Sequence, residues 1–162
     1  MIHSEMKFKN FSDDSCYHIE ESAFYQKKLK SSGYKTVEFV VCCNRQGNDE
    51  TKWMFIEAKT VVRMKFDKEI SDISQKFMDA LQIVCGIGHT RNPELPNDFI
   101  SSLGDKKNIV FVLVIKNCEI TALPSVKNAI LGKLRREHIL WKFDLVVLNE
   151  ELAKEKNLVL MG

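Results

Sequence analysis

The chain has 162 residues, 44% of them hydrophobic and 28% charged, the balance of a soluble globular protein with apolar material for the core of one ordinary α/β domain. Its 24 Lys and Arg against 22 Asp and Glu leave a formal charge of +2, which is more even than a dedicated polyanion binder shows. No apolar run approaches the roughly 18 residues of a bilayer-crossing helix, and the start Met1-Ile2-His3-Ser4-Glu5-Met6 lacks the apolar core of a signal peptide, so the expectation is a cytoplasmic protein with no membrane partner.

From the N-terminus, Met6 to Phe11 alternates apolar and polar residues and predicts a short strand. Asp13, Asp14 and Ser15 offer helix-capping side chains ahead of a helix over 17–30, whose face carries Ile19, Ala23, Phe24 and Leu29. Ser31-Ser32-Gly33 supplies its stop. Thr36 to Cys43 and Lys52 to Thr60 have strand character, and the polar residues 44–51 between them predict a β-hairpin. Apolar residues at 66, 70, 73, 77, 81 and 84 follow the helical period and predict a long helix over 66–84.

Residues 86–96 read as a loop and 97–103 as a short helix. The continuously apolar 108–116 predicts a strand covered on both faces. A helix over 123–141 follows, with Pro124 in its first turn, then a buried strand over 143–148 and a short helix over 150–156. The order predicts a mixed α/β fold, a central β-sheet flanked by helices, spanning 1–162 as a single domain.

The chemistry concentrates at the hairpin. Alternation puts Trp53, Phe55, Glu57 and Lys59 on one face of their strand. If Cys43 pairs with Lys52, Glu38 stands opposite Glu57, and directly opposed side chains have Cβ atoms about 4.5–5.5 Å apart. Two carboxylates in apolar strands repel unless a cation or proton lies between them. A hard divalent cation such as Mg2+ suits that position, and Lys59 beside it would orient a water and neutralise charge on a phosphate.

Phe55-Ile56-Glu57-Ala58-Lys59 resembles the (D/E)xK half-motif of the PD-(D/E)xK, or restriction-endonuclease-like, nuclease superfamily. Glu38 matches the acid of the preceding strand, with Val37-Glu38 standing in place of Pro-Asp. The resemblance covers most of residues 17–116 and implies a restriction-endonuclease-like core. It implies Glu38, Glu57 and Glu20 as ligands of Mg2+ or Mn2+, with Glu21 the alternative helical acid, and Lys59 as the fourth catalytic residue. Gln75 is followed four residues later by Asp79, where some members carry tyrosine. The implied activity is hydrolysis of nucleic-acid phosphodiester bonds, DNA before RNA, within a bacterial defence or DNA-processing system. A homodimer and a subunit of a larger complex are the implied assemblies. A catalytically inactive interaction or regulatory subunit is the alternative. The whole chain is also similar to small bacterial proteins with an acidic first helix, an EAK strand and an Asn-Glu-Glu-Leu-Ala ending.

Other features carry plainer readings. Gln75 and Lys76 flank the helical stripe and are expected on its solvated side, with the hairpin face as the alternative for both. Lys133, Arg135, Arg136, His138 and Lys142 near Trp141 read as the charged outer side of a helix, with phosphate contact as the alternative. Trp53 reads as a core residue before a base-stacking one. Cys16, Cys42, Cys43, Cys85 and Cys118 have no CxxC spacing and read as buried free thiols of a reducing compartment. Cys16 with His18 lacks a third orienting group for covalent catalysis. Gly86-Ile87-Gly88 follows a helix rather than a strand, against a dinucleotide loop.

Overall fold

A computed structural model describes residues 1–44, 50–62 and 66–160. Its strands are β1 (Ile2–His3), β2 (Met6–Lys7), β3 (Cys16–Tyr17), β4 (Phe39–Asn44), β5 (Thr51–Lys59), β6 (Lys107–Ile115) and β7 (Asp144–Asn149). Its α-helices are α1 (Phe66–His89), α2 (Asn97–Ser101), α3 (Leu123–Lys133), α4 (Arg135–Trp141) and α5 (Glu150–Glu155). The expected mixed sheet flanked by helices is present: five strands in the order β3-β4-β5-β6-β7. β4 runs antiparallel to both neighbours, whereas β5, β6 and β7 are mutually parallel. Parallel neighbours need long crossovers, and α1 with α2, then α3 with α4, provide them.

Alternation along the central strands fills two cores. Trp53, Phe55, Phe111 and Leu113 face the α1 stripe of Ile70, Ile73, Phe77, Leu81, Val84 and Ile87, joined by Val126 and Ile130 of α3. Ile56, Ala58, Val110, Val112 and Val114 face the other way, onto Met6, Phe8, Ala153 and Val159. β6 is therefore buried on both faces, as its unbroken apolar run predicts. Phe111 is fully buried at the centre, with ring centroids 4.7 Å from Phe77, 4.4 Å from Phe143 and 5.6 Å from Phe55.

The hairpin register is as expected: Cys43 pairs with Lys52 and Phe39 with Ile56. The hairpin turn expected at 44–51 lies for residues 45–49 outside the described residues. Several sequence expectations need correction. The expected helix over 17–30 is instead strand β3, a 3-10 turn (Ile19–Glu21), a π-helical turn (Tyr25–Leu29) and a second 3-10 turn (Lys30–Ser32). Cys16 and Tyr17 are drawn into the sheet because their side chains are buried against β4. Gly33 does close the segment, at φ +82°, a left-handed conformation glycine adopts without strain.

Asp14 does not cap that segment; it fastens α2, its side chain accepting from Asn97 Nδ2 at 2.8 Å and its carbonyl from the Asp98 N–H at 3.1 Å. The strand expected over 6–11 shortens to β2, paired with β1, while Phe8 bridges Val159. α1 passes through Gly86 and Gly88 to His89 where a loop is expected. The apolar stripe continues to Ile87, and a Cβ on Gly88 would lie 2.7 Å from Leu103 Cδ2, so glycine serves close packing there. The helix expected over 123–141 breaks at Leu134, whose φ of −98° and ψ of 21° leave the helical region. Pro124 sits in the first turn of α3, and the Asn149 side chain caps α5 by accepting from the Leu152 N–H at 3.0 Å.

A candidate acidic site at the end of β5

Strand alternation delivers Glu57 to the face of the sheet covered by α1, where it is completely buried. Its Oε1 accepts from Lys76 Nζ of α1 at 2.7 Å and faces Lys59 Nζ, two residues along its own strand, at 3.1 Å. Its Oε2 is buried and meets no hydrogen-bond partner among the described residues. Such an orphan is rare, because an unpaired buried acceptor forfeits its hydration.

Glu38 lies at the bend just before β4, one step beyond the Phe39–Ile56 pair and so in register with Glu57. Its Oε2 accepts from His3 Nδ1 at 2.7 Å. Strand β1 thus contributes a residue to this site that nothing in the sequence signals. Its ring also packs 5.4 Å from Phe39, and Phe39 in turn lies 5.9 Å from His18.

The charges respond to one another. Burial pushes the Glu57 carboxyl up, and Lys76 and Lys59 offset that push in part, while Glu38 adds to it. Burial would raise Glu38 as well, but the His3 hydrogen bond and charge, with Lys76 and Lys59 behind them, hold it below the ordinary carboxylate value. For Lys76, burial works against the ammonium, and Glu57, Glu38 and Glu20 together hold it above its ordinary value.

Glu20 is exposed in the 3-10 turn, hydrogen-bonds none of the other candidate residues, and reaches the site through its charge on Lys76 and Tyr25. Glu21 acts on Cys16 and His18 instead, so Glu20 is the acid on the side of Glu57. Lys76 corrects the sequence reading: it does not lie on the solvated flank of α1 but points at the hairpin. Three residues after Ile73 and four before Ala80, both buried, it shares their face, and that spacing was the available signal. Gln75 does lie on the flank, donating to Asp79 at 3.4 Å.

No group of three His, Cys, Asp or Glu close enough to hold a metal ion occurs among the described residues. Magnesium commonly takes one or two carboxylates and keeps its waters, so the orphaned Glu57 Oε2 with Glu38 beside it fits such an ion, and the exposed Glu20 reaches the same cluster through its charge on Lys76.

The remaining candidates fall outside this cluster. Trp53 is core, 2% exposed, its indole N–H donating to Ser102 at 3.1 Å. Lys133, Arg135, Arg136, His138 and Lys142 are exposed. Cys16 lies 3.6 Å from His18, but burial pushes its thiol up to about 11, far from a reactive thiolate. All five cysteines are free, Cys16 and Cys42 buried and the other three half-buried. No described helix is long and apolar enough to cross a membrane. Comparison with family models, with curated proteins and with solved structures gives no match for this chain.

Proposed function

We propose that the chain is a metal-dependent nuclease of restriction-endonuclease-like type, hydrolysing phosphodiester bonds of nucleic acid, DNA before RNA. The observation that carries this reading is the Glu57 carboxylate: fully buried, gripped at Oε1 by two lysines, and left with Oε2 unpartnered. Burying a carboxylate is costly, and a site that keeps one acceptor oxygen in reserve is suited to a hard cation. Supporting it are the antiparallel β4–β5 pair followed by a helical crossover to parallel β6, and the Glu57-Ala58-Lys59 half-motif at the strand end.

Mg2+ or Mn2+, bound through Glu57 and Glu38, would supply Lewis-acid polarisation of the phosphoryl oxygen. The chain's own groups do the rest. Lys59, 36% exposed at its side chain, is the cation that substrate meets, and it stabilises the charge that grows on the phosphoryl oxygens. Lys76 orients the Glu57 carboxylate, and Glu38, oriented by His3, completes the acidic pair. Cleavage of DNA and RNA in Mn2+ tests the reading: Lys59→Ala and Glu57→Ala must lose activity, with Lys59→Ala still folded. Cleavage at wild-type rate by both variants overturns it.

A second reading is a nuclease-like fold without activity, serving as an interaction or regulatory subunit. It is favoured by one specific feature: both acids already have cationic or hydrogen-bonding partners, Glu57 in Lys76 and Lys59, Glu38 in His3. Absence of cleavage together with absence of any Mn2+ effect on stability selects it.

A further inference from the structure

Trp53 and Trp141 are the chain's two tryptophans, and both line one cavity of about 570 Å3. The cavity opens at the start of β5 and β6, where the last turn of α1, the loop after it, and the end of α4 converge. Along β5 it is four residues from Glu57, about 13 Å at the rise of a strand, so it is separate from the acidic site and its argument stands independently of the nuclease reading.

Its lining has a one-sided chemistry. His89, Arg91 and Lys107 contribute nitrogen groups, and among the described residues no carboxylate lines it. Lys107 is held in place rather than waving in solvent: its Nζ donates to the carbonyls of Leu103 at 2.9 Å and Asp105 at 2.8 Å and lies 5.1 Å from the Trp53 ring centroid. Asp105, two residues before Lys107, accepts from the Thr51 hydroxyl at 3.3 Å. Arg91 sits at φ +50°, a left-handed backbone conformation that few residues other than glycine and asparagine adopt freely. The walls between these groups are apolar and aromatic. A volume of this size falls in the range of small-ligand sites, and flat apolar walls with a cationic rim match a planar ring bearing a negative group.

We propose that this cavity binds a nucleoside phosphate, the base lying against the half-buried Trp141 indole and the aliphatic wall and the phosphate against Arg91 and Lys107. The same chemistry is offered by a free mononucleotide and by the phosphorylated end of an oligonucleotide. Because both tryptophans line the cavity, intrinsic fluorescence reports on it directly. The experiment titrates the folded chain with the four 5′-mononucleotides, with a 5′-phosphorylated hexanucleotide and with inorganic phosphate, in parallel with equilibrium dialysis.

Saturable quenching by a mononucleotide, at least tenfold tighter than by phosphate alone, is the expected result. Saturation by the hexanucleotide alone supports the site and assigns its source to nucleic-acid ends. Arg91→Asn, which keeps a residue suited to positive φ, is expected to weaken binding at least tenfold without moving the melting temperature. Lys107→Met is expected to weaken it similarly, and where loss of its carbonyl contacts lowers the melting temperature, Arg91→Asn decides. No saturable quenching and no retention with any of these ligands, or unchanged affinity in Arg91→Asn, overturns the proposal.

Discussion

Lys76 of α1 and Glu57 of β5 are joined by a 2.7 Å contact in which the acid is wholly buried and the lysine three-quarters so. This pair ties the long helix to the sheet, with buried Ile73 and Phe77 on the same stretch of helix. Removing one member of a buried pair leaves the other charge uncompensated, a loss of roughly 3–5 kcal/mol. Lys59 still faces Glu57 at 3.1 Å, so Lys76→Met is expected at the lower end, about 3 kcal/mol. Urea unfolding measures it. The double variant Lys76→Met/Glu57→Leu should recover most of the loss, since an apolar pair needs no compensation. A double variant no more stable than Lys76→Met alone would refute the coupling.

The two acids should respond to pH with opposite sign. Glu38 is held below its ordinary value of 4.5, so it stabilises the fold above that pH, and the stabilisation fades as pH falls through its folded value. Glu57 is pushed above 4.5 by burial, so its contribution is full below that pH and fades as pH rises through its folded value. The stability gap between wild type and Glu38→Gln should therefore hold steady above pH 4.5 and narrow as pH falls below it. The gap between wild type and Glu57→Gln should instead widen as pH falls toward 4.5 from above, and hold steady below it. Chemical denaturation at several pH values measures both, and gaps that move in the same direction contradict the charge arrangement.

What the sequence made legible follows from periodicity. The α1 stripe, the two-face burial of β6 and the Cys43–Lys52 register are direct consequences of repeats of 3.6 and 2 residues, and the fold respects them. The segment 17–32 was opaque because its apolar residues are few and Tyr17, with Cys16 before it, was claimed by sheet pairing with Val40 and Val41, a tertiary effect that local pattern does not encode. Gly86 and Gly88 looked like helix terminators, yet the approach of Leu103 gives Gly88 a packing role. At the acidic site, Glu57, Lys59 and Glu38 were visible from strand alternation. His3 was not, because 35 residues separate it from Glu38 and only the folding back of β1 brings them together. Lys76 was visible in spacing but looked solvated, since lysine at a helix flank ordinarily is.

Divalent cation binding should be readable without any assay of catalysis. An ion that binds the folded chain alone stabilises it by about 1.4 kcal/mol at ten times its dissociation constant. For a chain of this length that moves the melting temperature by roughly 3–6 °C. Millimolar Mn2+ is expected to produce such a rise in wild type, and Glu57→Gln and Glu38→Gln are each expected to lose it. Glu20→Gln should retain most of it, because Glu20 is exposed and hydrogen-bonds none of the cluster. An equal rise in all four proteins would place the ion elsewhere, and no rise in wild type would favour the inactive-subunit reading.

The aromatic centre sets how firmly this site is held. Phe111 touches Phe55, two residues before Glu57, and stacks on Phe77, the residue after Lys76, with an interplanar angle of 14°. Truncating a fully buried phenylalanine removes its transfer energy and leaves a cavity, together about 3–5 kcal/mol. Phe111→Ala is therefore expected to lower the melting temperature by roughly 10 °C. Because the rings lie on the same strand and helix that carry Glu57 and Lys76, the same variant should loosen the spacing between those two charges. Phe111→Leu restores most of the volume and should return both stability and any Mn2+ response. If Phe111→Ala lost stability but kept the full Mn2+ response, the acidic cluster would be positioned independently of this ring stack, and rigidity of the core would have no part in presenting Glu57.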